Sequence, residues 1–385
     1  MMKVAYISGS GFADIDFSVI RAMRVKLNLY YFIIVTPHSL QSTAINIQKR
    51  HSVPGIFKAS IYPEIQQFVE YIDVERTYVI NTCNNNIKNI GIFCKLLSIL
   101  ISMNIDILHL TAYYSAVTFP LFFLRKKTVL TIHDPIPHSD RFYSIKDFIR
   151  RKATFGVIKK FVILNKNQKK DFISKYRLKQ KNIYVSRLGV YDYLDLYAKQ
   201  RLAENNSKEY ILFFGRITKY KGLDFLFPAM KIVNETHKNI KLIIAGYCKN
   251  YHFDITEYKN CSYIEIQNRY IPDYELSALI RNSLFVVCPY TDATQSGVVM
   301  SSFAFNIPIL ATDVGGLPEY VEHMKSGYIV PPKDIDGLAD GIKYLLDNKK
   351  LLEEQKKYIE DRYRSGEYSW NKITDDLINF YKSNN

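Results

Sequence analysis

Phe214-Gly215-Arg216-Ile217-Thr218-Lys219-Tyr220-Lys221-Gly222-Leu223 completes the apolar run Tyr210–Phe214 and opens the helix-length stretch Gly222–Thr236. A strand that stops at a glycine, a short cationic loop and a helix start together make one β–loop–α unit. In such a unit Arg216 and Lys221 emerge at the carboxyl edge of a sheet beside a helix N-terminus, which suits a diphosphate. Arginine offers planar paired hydrogen bonds and lysine a mobile point charge. Taken alone, the stretch fits a solvated basic turn equally well.

Two further units follow. Cys288-Pro289-Tyr290-Thr291-Asp292-Ala293-Thr294-Gln295-Ser296-Gly297 leads from a buried run, Leu284–Cys288, into a helix near Gly297. Backbone N–H groups at that helix start can cradle phosphate oxygens, Ser296 can cap it, and Asp292 can accept from sugar hydroxyls. Ala311-Thr312-Asp313-Val314-Gly315-Gly316-Leu317-Pro318-Glu319 sets paired glycines before a helix with Pro318 in its first turn, the pattern of a tight turn.

Apolar runs at Tyr210–Phe214, Ile240–Ala245, Ser262–Ile266, Leu284–Cys288, Ile309–Ala311 and Gly327–Val330 alternate with helical stretches at Tyr274–Asn282, Gly297–Phe305, Leu317–Glu322 and Ile335–Asp347. The first half repeats the scheme: strands at Val4–Ser8, Tyr30–Thr36, Thr77–Asn81, Ile105–Leu110, Thr128–Ile132, Phe161–Leu164 and Asn182–Ser186, helices at Phe17–Leu29 and Ile87–Met103. Several of these strands are continuously apolar, as strands covered on both faces are. The expected fold class is α/β: two Rossmann-like doubly wound domains facing a central cleft, at 1–200 and 201–365, with the polar stretch Lys199–Lys208 as linker. Residues 366–385 form a last helix, apolar at Ile373, Leu377 and Tyr381, expected to pack back toward the first domain.

The chain has 385 residues, 48% hydrophobic and 23% charged, and only 16 Gly and 13 Pro, which excludes fibrous, low-complexity and disordered classes. Met1-Met2-Lys3 runs straight into Val4-Ala5-Tyr6-Ile7, too short for the core of a signal peptide, and no uncharged run reaches a membrane-spanning length. Five cysteines without a CxxC pair argue against a disulfide framework or zinc site, so the reading is cytosolic. Charge is lopsided: residues 1–200 hold 29 Lys+Arg against 13 Asp+Glu, and the remainder 23 against 24. Such a surface fits an anionic membrane, a nucleic acid or plain solvation of exposed helices. No nucleic-acid recognition module is present, so nucleic acid is not expected as a partner.

In this order and spacing the three units resemble the C-terminal domain of family 4 GT-B glycosyltransferases, a large retaining group, over residues 208–348 and, less fully, Tyr368-Ser369-Trp370. Over residues 1–200 the resemblance rests on Gly9-Ser10-Gly11, Thr131-Ile132-His133-Asp134 and the strand–helix order. It implies a retaining, metal-independent transferase moving a sugar from a nucleotide-diphosphate sugar to a glycan acceptor, lipid-linked, in bacterial surface polysaccharide synthesis. No cofactor is expected. By this resemblance Arg216 and Lys221 neutralise the diphosphate and the departing nucleotide. Asp292 contacts donor-sugar hydroxyls, in place of the family's first glutamate. Ser296 and Gly297 match the loop that presents backbone amides to the diphosphate, and Gly215 is a further donor-binding position. His133 lies on the acceptor-domain wall, and Gly9 and Gly11 leave room for the donor. The family's second glutamate, which grips the ribose, is absent. Met300 and Ser301 stand there, with Ser301 the candidate for a weaker ribose contact and Glu319 another that could be recruited.

Asp14-Ile15-Asp16 and Asp334-Ile335-Asp336 would suit metal-dependent transferases but read as ordinary loop or capping residues, so no metal site is expected. His109 reads as a satisfied core histidine, His138 as a cleft-rim residue, and Tyr113-Tyr114 as interior packing. The stretch Asp147–Lys170 reads as a basic amphipathic segment for a membrane surface, giving a peripheral position on the inner face of the membrane. A nucleotide-sugar epimerase and a non-catalytic nucleotide-sugar binding protein are the competing readings.

Overall fold

The computed structural model describes residues 1–40, 44–111, 115, 117–133, 135, 145–198, 209–248, 258, 261–293 and 296–383. Lys199–Lys208, Tyr113-Tyr114, Asp134, His138 and Thr294-Gln295 lie outside the described residues. The chain divides into two units, Met1–Leu188 with Trp370–Asn385, and Gly189–Ser369. Residues 189–198, assigned to the first domain on sequence, thus belong with the second. Val190, Tyr191, Tyr193 and Leu194 are buried there, and the Tyr191 N–H donates to Met300 O at 3.3 Å.

The first unit runs β1 (Lys3–Gly9), α1 (Ala13–Arg24), β2 (Asn28–Val35), β3 (Gly55–Lys58), α2 (Pro63–Gln66), β4 (Thr77–Asn81), α3 (Asn86–Ser102), β5 (Ile107–Leu110), β6 (Thr128–Ile132), α4 (Ile145–Val157), β7 (Lys160–Ile163), α5 (Lys169–Tyr176) and β8 (Ile183–Val185). Its sheet has the order β3-β4-β2-β1-β5-β6-β7-β8, parallel except that β3 pairs antiparallel with β4. The second unit runs α6 (Asp195–Ala198), β9 (Tyr210–Phe214), α7 (Leu223–Thr236), β10 (Lys241–Ala245), β11 (Ile264–Gln267), α8 (Asp273–Arg281), β12 (Val286–Cys288), α9 (Gly297–Ala304), β13 (Ile309–Thr312), α10 (Leu317–Tyr320), β14 (Gly327–Val330), α11 (Ile335–Asp347) and α12 (Lys349–Ile359). Its sheet, β11-β10-β9-β12-β13-β14, is parallel throughout. Every residue of β5, β6, β9, β12 and β13 is buried, as helices on both faces require.

The last helix, α13 (Trp370–Lys382), lies on α1 in the first unit. Lys26 Nζ donates to Asn371 O at 2.9 Å and pairs with Asp375 at 2.9 Å. Tyr381 is buried and reaches the core to hydrogen-bond His109 Nδ1, while His109 Nε2 meets Thr131 Oγ1 at 2.6 Å. Burial, with His133 nearby, pushes the His109 imidazole down to about 3, so it stays neutral and holds a strand to the final helix.

The two Asp-x-Asp triplets are divided by the fold. Asp334 caps α11, its carboxylate accepting the Gly337 N–H at 2.9 Å. Asp14 and Asp16 lie in the first turn of α1 rather than a loop, and Asp16 is buried, accepting from the Tyr6 hydroxyl at 2.8 Å and Tyr31 at 3.4 Å. Burial raises the Asp16 carboxyl to about 7, the hydroxyls of Ser8, Tyr6 and Tyr31 oppose the rise, and Asp14 adds to it. His109, its ring 4.6 Å from that of Tyr6 and tilted by 35°, is neutral, and no cation among the described residues offsets this. The native carboxyl therefore keeps its proton to higher pH than the unfolded chain's, and the stability this gives is lost as pH rises through about 7. Melting wild type and Asp16→Asn side by side should show the wild type losing about 2–3 kcal/mol against the variant between about pH 5 and about pH 8. Parallel curves would refute the assignment.

The basic stretch Asp147–Lys170 is not one amphipathic helix. It is cut into α4, β7 and the start of α5, because Phe161, Val162 and Ile163 form a buried strand. Arg151 turns inward, its Nη1 donating to Pro135 O at 3.1 Å and the Tyr176 hydroxyl at 3.2 Å.

Candidate active site

In the second unit β9, β12 and β13 are parallel neighbours, so the loops after Phe214, Cys288 and Thr312 leave the same sheet edge. They interlock through backbone. Gly222 sits at φ 75°, and a Cβ there would lie 1.8 Å from Pro289 O. Gly315 sits at φ 53°, and a Cβ there would lie 1.5 Å from Ala293 O. Thr291 N–H donates to Tyr220 O at 2.7 Å, Gly316 N–H to Ala293 O at 3.3 Å, and the Thr312 hydroxyl to Tyr290 O at 2.6 Å. The three sequence units are thus one assembly.

Lys221 is its centre. The side chain is buried, Nζ donates to the Tyr290 hydroxyl at 2.7 Å, and it has no carboxylate partner among the described residues. Burial pulls it down to about 8, with the Arg216 guanidinium pushing the same way and Cys288 opposing. Arg216 is exposed on the loop one residue beyond Gly215, whose φ of 100° lets β9 turn away. Two neighbouring cations with no carboxylate partner among the described residues are an arrangement that an anion would stabilise.

Ser296 occupies the N-cap position of α9, but its hydroxyl makes no cap bond to the helix, contrary to expectation. Instead it hydrogen-bonds Tyr290, which also bonds the Cys288 thiol. The side chain expected to close the helix start is therefore diverted, and the amides of Gly297 and Val298 have no acceptor among the described residues. Space is tight at Gly297 as well, since a Cβ there would meet the Tyr191 hydroxyl at 3.1 Å. Asp292 is half-buried on the same loop. Ser301 is buried on α9, beside the fully buried Met300. Glu319 lies half-buried in α10. Two contributors lacked a role on sequence. Tyr290 reads there as a loop residue without a role, and Tyr191 falls within the first domain.

Gly9, Gly11 and His133 lie in the first unit, apart in sequence but joined through Phe12, whose ring stacks on His133 at 4.1 Å and 8°. A Cβ at Gly9 or Gly11 would meet nothing within 4 Å, so both glycines border open space. The loop Gln267–Tyr270 after β11 is held by Arg269, which donates to Glu275 at 2.9 Å.

Residues 197–362 match the family model described as Glycosyl transferases group 1. That stretch falls within the second unit. An uncharacterized glycosyltransferase of Methanocaldococcus jannaschii is 27% identical over 190 residues, spanning 48% of this chain and 47% of that protein. A capsular polysaccharide biosynthesis glycosyltransferase, CapM, of Staphylococcus aureus is 24% identical over 186 residues, spanning 46% of this chain and 48% of that protein. The chain thus matches about half the length of these relatives. Anabaena Alr3699/HepE, solved in complex with UDP, superposes with a TM-score of 0.69 at 14% identity over 99% of this chain and 100% of that one. The fold is therefore that of the GT-B glycosyltransferases, a Rossmann-like α/β sheet in each unit. The matched stretch contains Gly215, Arg216, Lys221, Asp292, Ser296, Gly297 and Ser301.

Proposed function

We propose that the protein is a retaining, metal-independent family 4 glycosyltransferase that moves a sugar from a nucleotide-diphosphate donor to a lipid-linked glycan acceptor in surface polysaccharide synthesis. It works in the cytoplasm at the inner face of the membrane. The observation that carries the reading is Lys221: a buried cation without a carboxylate counterion, beside Arg216 and an uncapped helix start. When the bond between the sugar's anomeric carbon and the diphosphate breaks, negative charge grows on the leaving phosphate, and donors already in place stabilise it. Lys221, Arg216 and the amides of Gly297 and Val298 are those donors. Asp292 holds donor-sugar hydroxyls, and Ser301 makes the ribose contact that a glutamate makes elsewhere in the family. His133 borders the transferred sugar, and Gly9 and Gly11 leave it space. The acceptor hydroxyl forms the new glycosidic bond and passes its proton to the departing phosphate oxygen, so the step needs no enzymic nucleophile.

The test is a thermal-shift and calorimetric panel of UDP-, GDP-, ADP- and CMP-sugars. One nucleotide class is expected to raise the wild-type melting temperature by mass action, about 2.7 kcal/mol at a hundredfold excess over Kd. Arg216→Ala should show a much smaller rise with that class. Stabilisation of both proteins alike, or of neither by any nucleotide, would overturn the reading.

A further inference from the structure

The crossovers β4 to β5, β5 to β6, β6 to β7 and β7 to β8 all advance in one direction along the first sheet, whereas β1 to β2 runs the other way. Right-handed connections therefore place α3, the 3₁₀ segment Phe119–Lys127, α4 and α5 on one face, and α1 with α13 on the opposite face. The core agrees, since Phe93, Leu96, Leu100, Leu121, Phe155 and Phe172 share one cluster beneath that layer.

The outside of this layer is unusual. Helix α3 already buries Phe93, Leu96 and Leu100, yet it also turns Ile87 (82% exposed) and Ile101 outward. Phe119 and Phe123 (69% exposed) on the 3₁₀ segment, and Phe148 and Ile149 on α4, do the same. Interleaved with them are Lys88, Lys95, Lys126 and Lys152, all exposed and without an ion pair among the described residues. Arg125 lies over the Phe122 ring at 4.5 Å. Between Arg76 and Lys127 the single acidic residue is Asp106, and its carboxylate accepts the Lys3 N–H at 2.8 Å. The opposite face carries Asp375, paired with Lys26, and Asp376, paired with Lys372.

We propose that the outer surface of the α3–α4 layer is a docking face for an anionic lipid bilayer, with Ile101 and Phe123 entering the boundary between headgroups and acyl chains. Exposed isoleucine and phenylalanine gain by leaving water, and unpaired lysines around them meet lipid phosphates. A nucleic acid would use the charge but leave the apolar side chains wet. The proposal deepens the membrane placement given above by naming its surface, and it does not depend on the transfer reaction.

Flotation with phosphatidylcholine vesicles and with mixed phosphatidylcholine–phosphatidylglycerol vesicles tests it. The wild type should float with the mixed vesicles and stay behind with the neutral ones. Ile101→Glu with Phe123→Glu should lower the bound fraction roughly tenfold or more. Lys350→Gln with Lys357→Gln makes the same change in net charge on α12 of the second unit and should float as the wild type does. Phe123→Trp should gain emission that brominated phosphatidylcholine in the mixed vesicles quenches. Equal flotation with both vesicle types, equal losses in both double variants, or added emission in Phe123→Trp that the brominated lipid leaves unquenched would overturn the docking face. So would loss of a dimer in sedimentation when residues 101 and 123 are changed, since the face would then serve a second copy of this chain. Nucleotide titration of the residue-101 and residue-123 double variant separates this outcome from failure of the diphosphate site, whose cations Arg216 and Lys221 lie in the other unit.

Discussion

Lys221→Ala should lower kcat/KM for sugar transfer by about a hundredfold to a thousandfold, the usual loss for one preorganised donor in a site that stabilises growing charge. No neighbour can substitute, because Arg216 is exposed whereas Lys221 Nζ is fixed in the interior by the Tyr290 hydroxyl at 2.7 Å. Lys221→Arg should not restore the rate, since a planar guanidinium does not fit a buried site shaped for an ammonium. The pH dependence carries two opposite signs. Burial holds the free enzyme's Lys221 at about 8, and an anionic ligand favours the protonated form, so nucleotide affinity falls as pH rises through about 8. The unfolded chain holds that proton up to the ordinary lysine value. Between about 8 and about 10.5 it binds more protons than the native state, and this residue's contribution to apo stability rises with pH. Calorimetric titrations and apo melts across that range should therefore move in opposite directions, and both slopes should flatten in Lys221→Ala. A wild-type affinity unchanged across about pH 7 to about pH 9 would show that Lys221 does not meet the ligand.

Gly315→Ala should be strongly disruptive to the second unit. Its φ of 53° is strained for alanine, and the new Cβ would sit 1.5 Å from Ala293 O and 2.6 Å from the Ala293 carbonyl carbon. Backbone is struck, so no rotamer relieves the clash. The loop from Pro289 to Ala293 must retreat, carrying Tyr290 and Asp292 with it. The expected cost is about 3–5 kcal/mol of stability, with nucleotide binding lost in whatever folded protein remains. Gly11→Ala is the matched control, since nothing lies within 4 Å of its Cβ position. It should melt within about 0.5 kcal/mol of wild type. A Gly315→Ala protein that melts and binds nucleotide like wild type would mean the three loops do not depend on that contact.

Much of this was legible before any coordinates. Strands such as β6 and β9 announce themselves because burial on both faces leaves no polar residue to interrupt them. The order of the three glycine-bearing loops was legible because Gly222 and Gly315 each serve a close backbone approach that a side chain would block. Other features leave no local trace. Strand β3 is four residues long, partly exposed and antiparallel at an edge, too short to show a period. Tyr290 looked like loop filler until Lys221, 69 residues earlier, was found bonded to it. The diverted Ser296 hydroxyl defeats a rule that is sound locally, because a tyrosine in the same loop competes for it. His109 was read correctly as a core residue, but its partner Tyr381 stands 272 positions away.

That separation has a consequence for how the protein comes into being. The first unit closes its core with Trp370, Ile373, Leu377 and Tyr381, yet the ribosome must first build everything between Leu188 and Trp370. At about 5–20 residues per second, the nascent first unit waits roughly ten to forty seconds with the bed of its last helix open to water. During that interval His109 has its Thr131 partner but not its tyrosine. The second unit, contiguous from Gly189 to Ser369, has no such delay and can finish first.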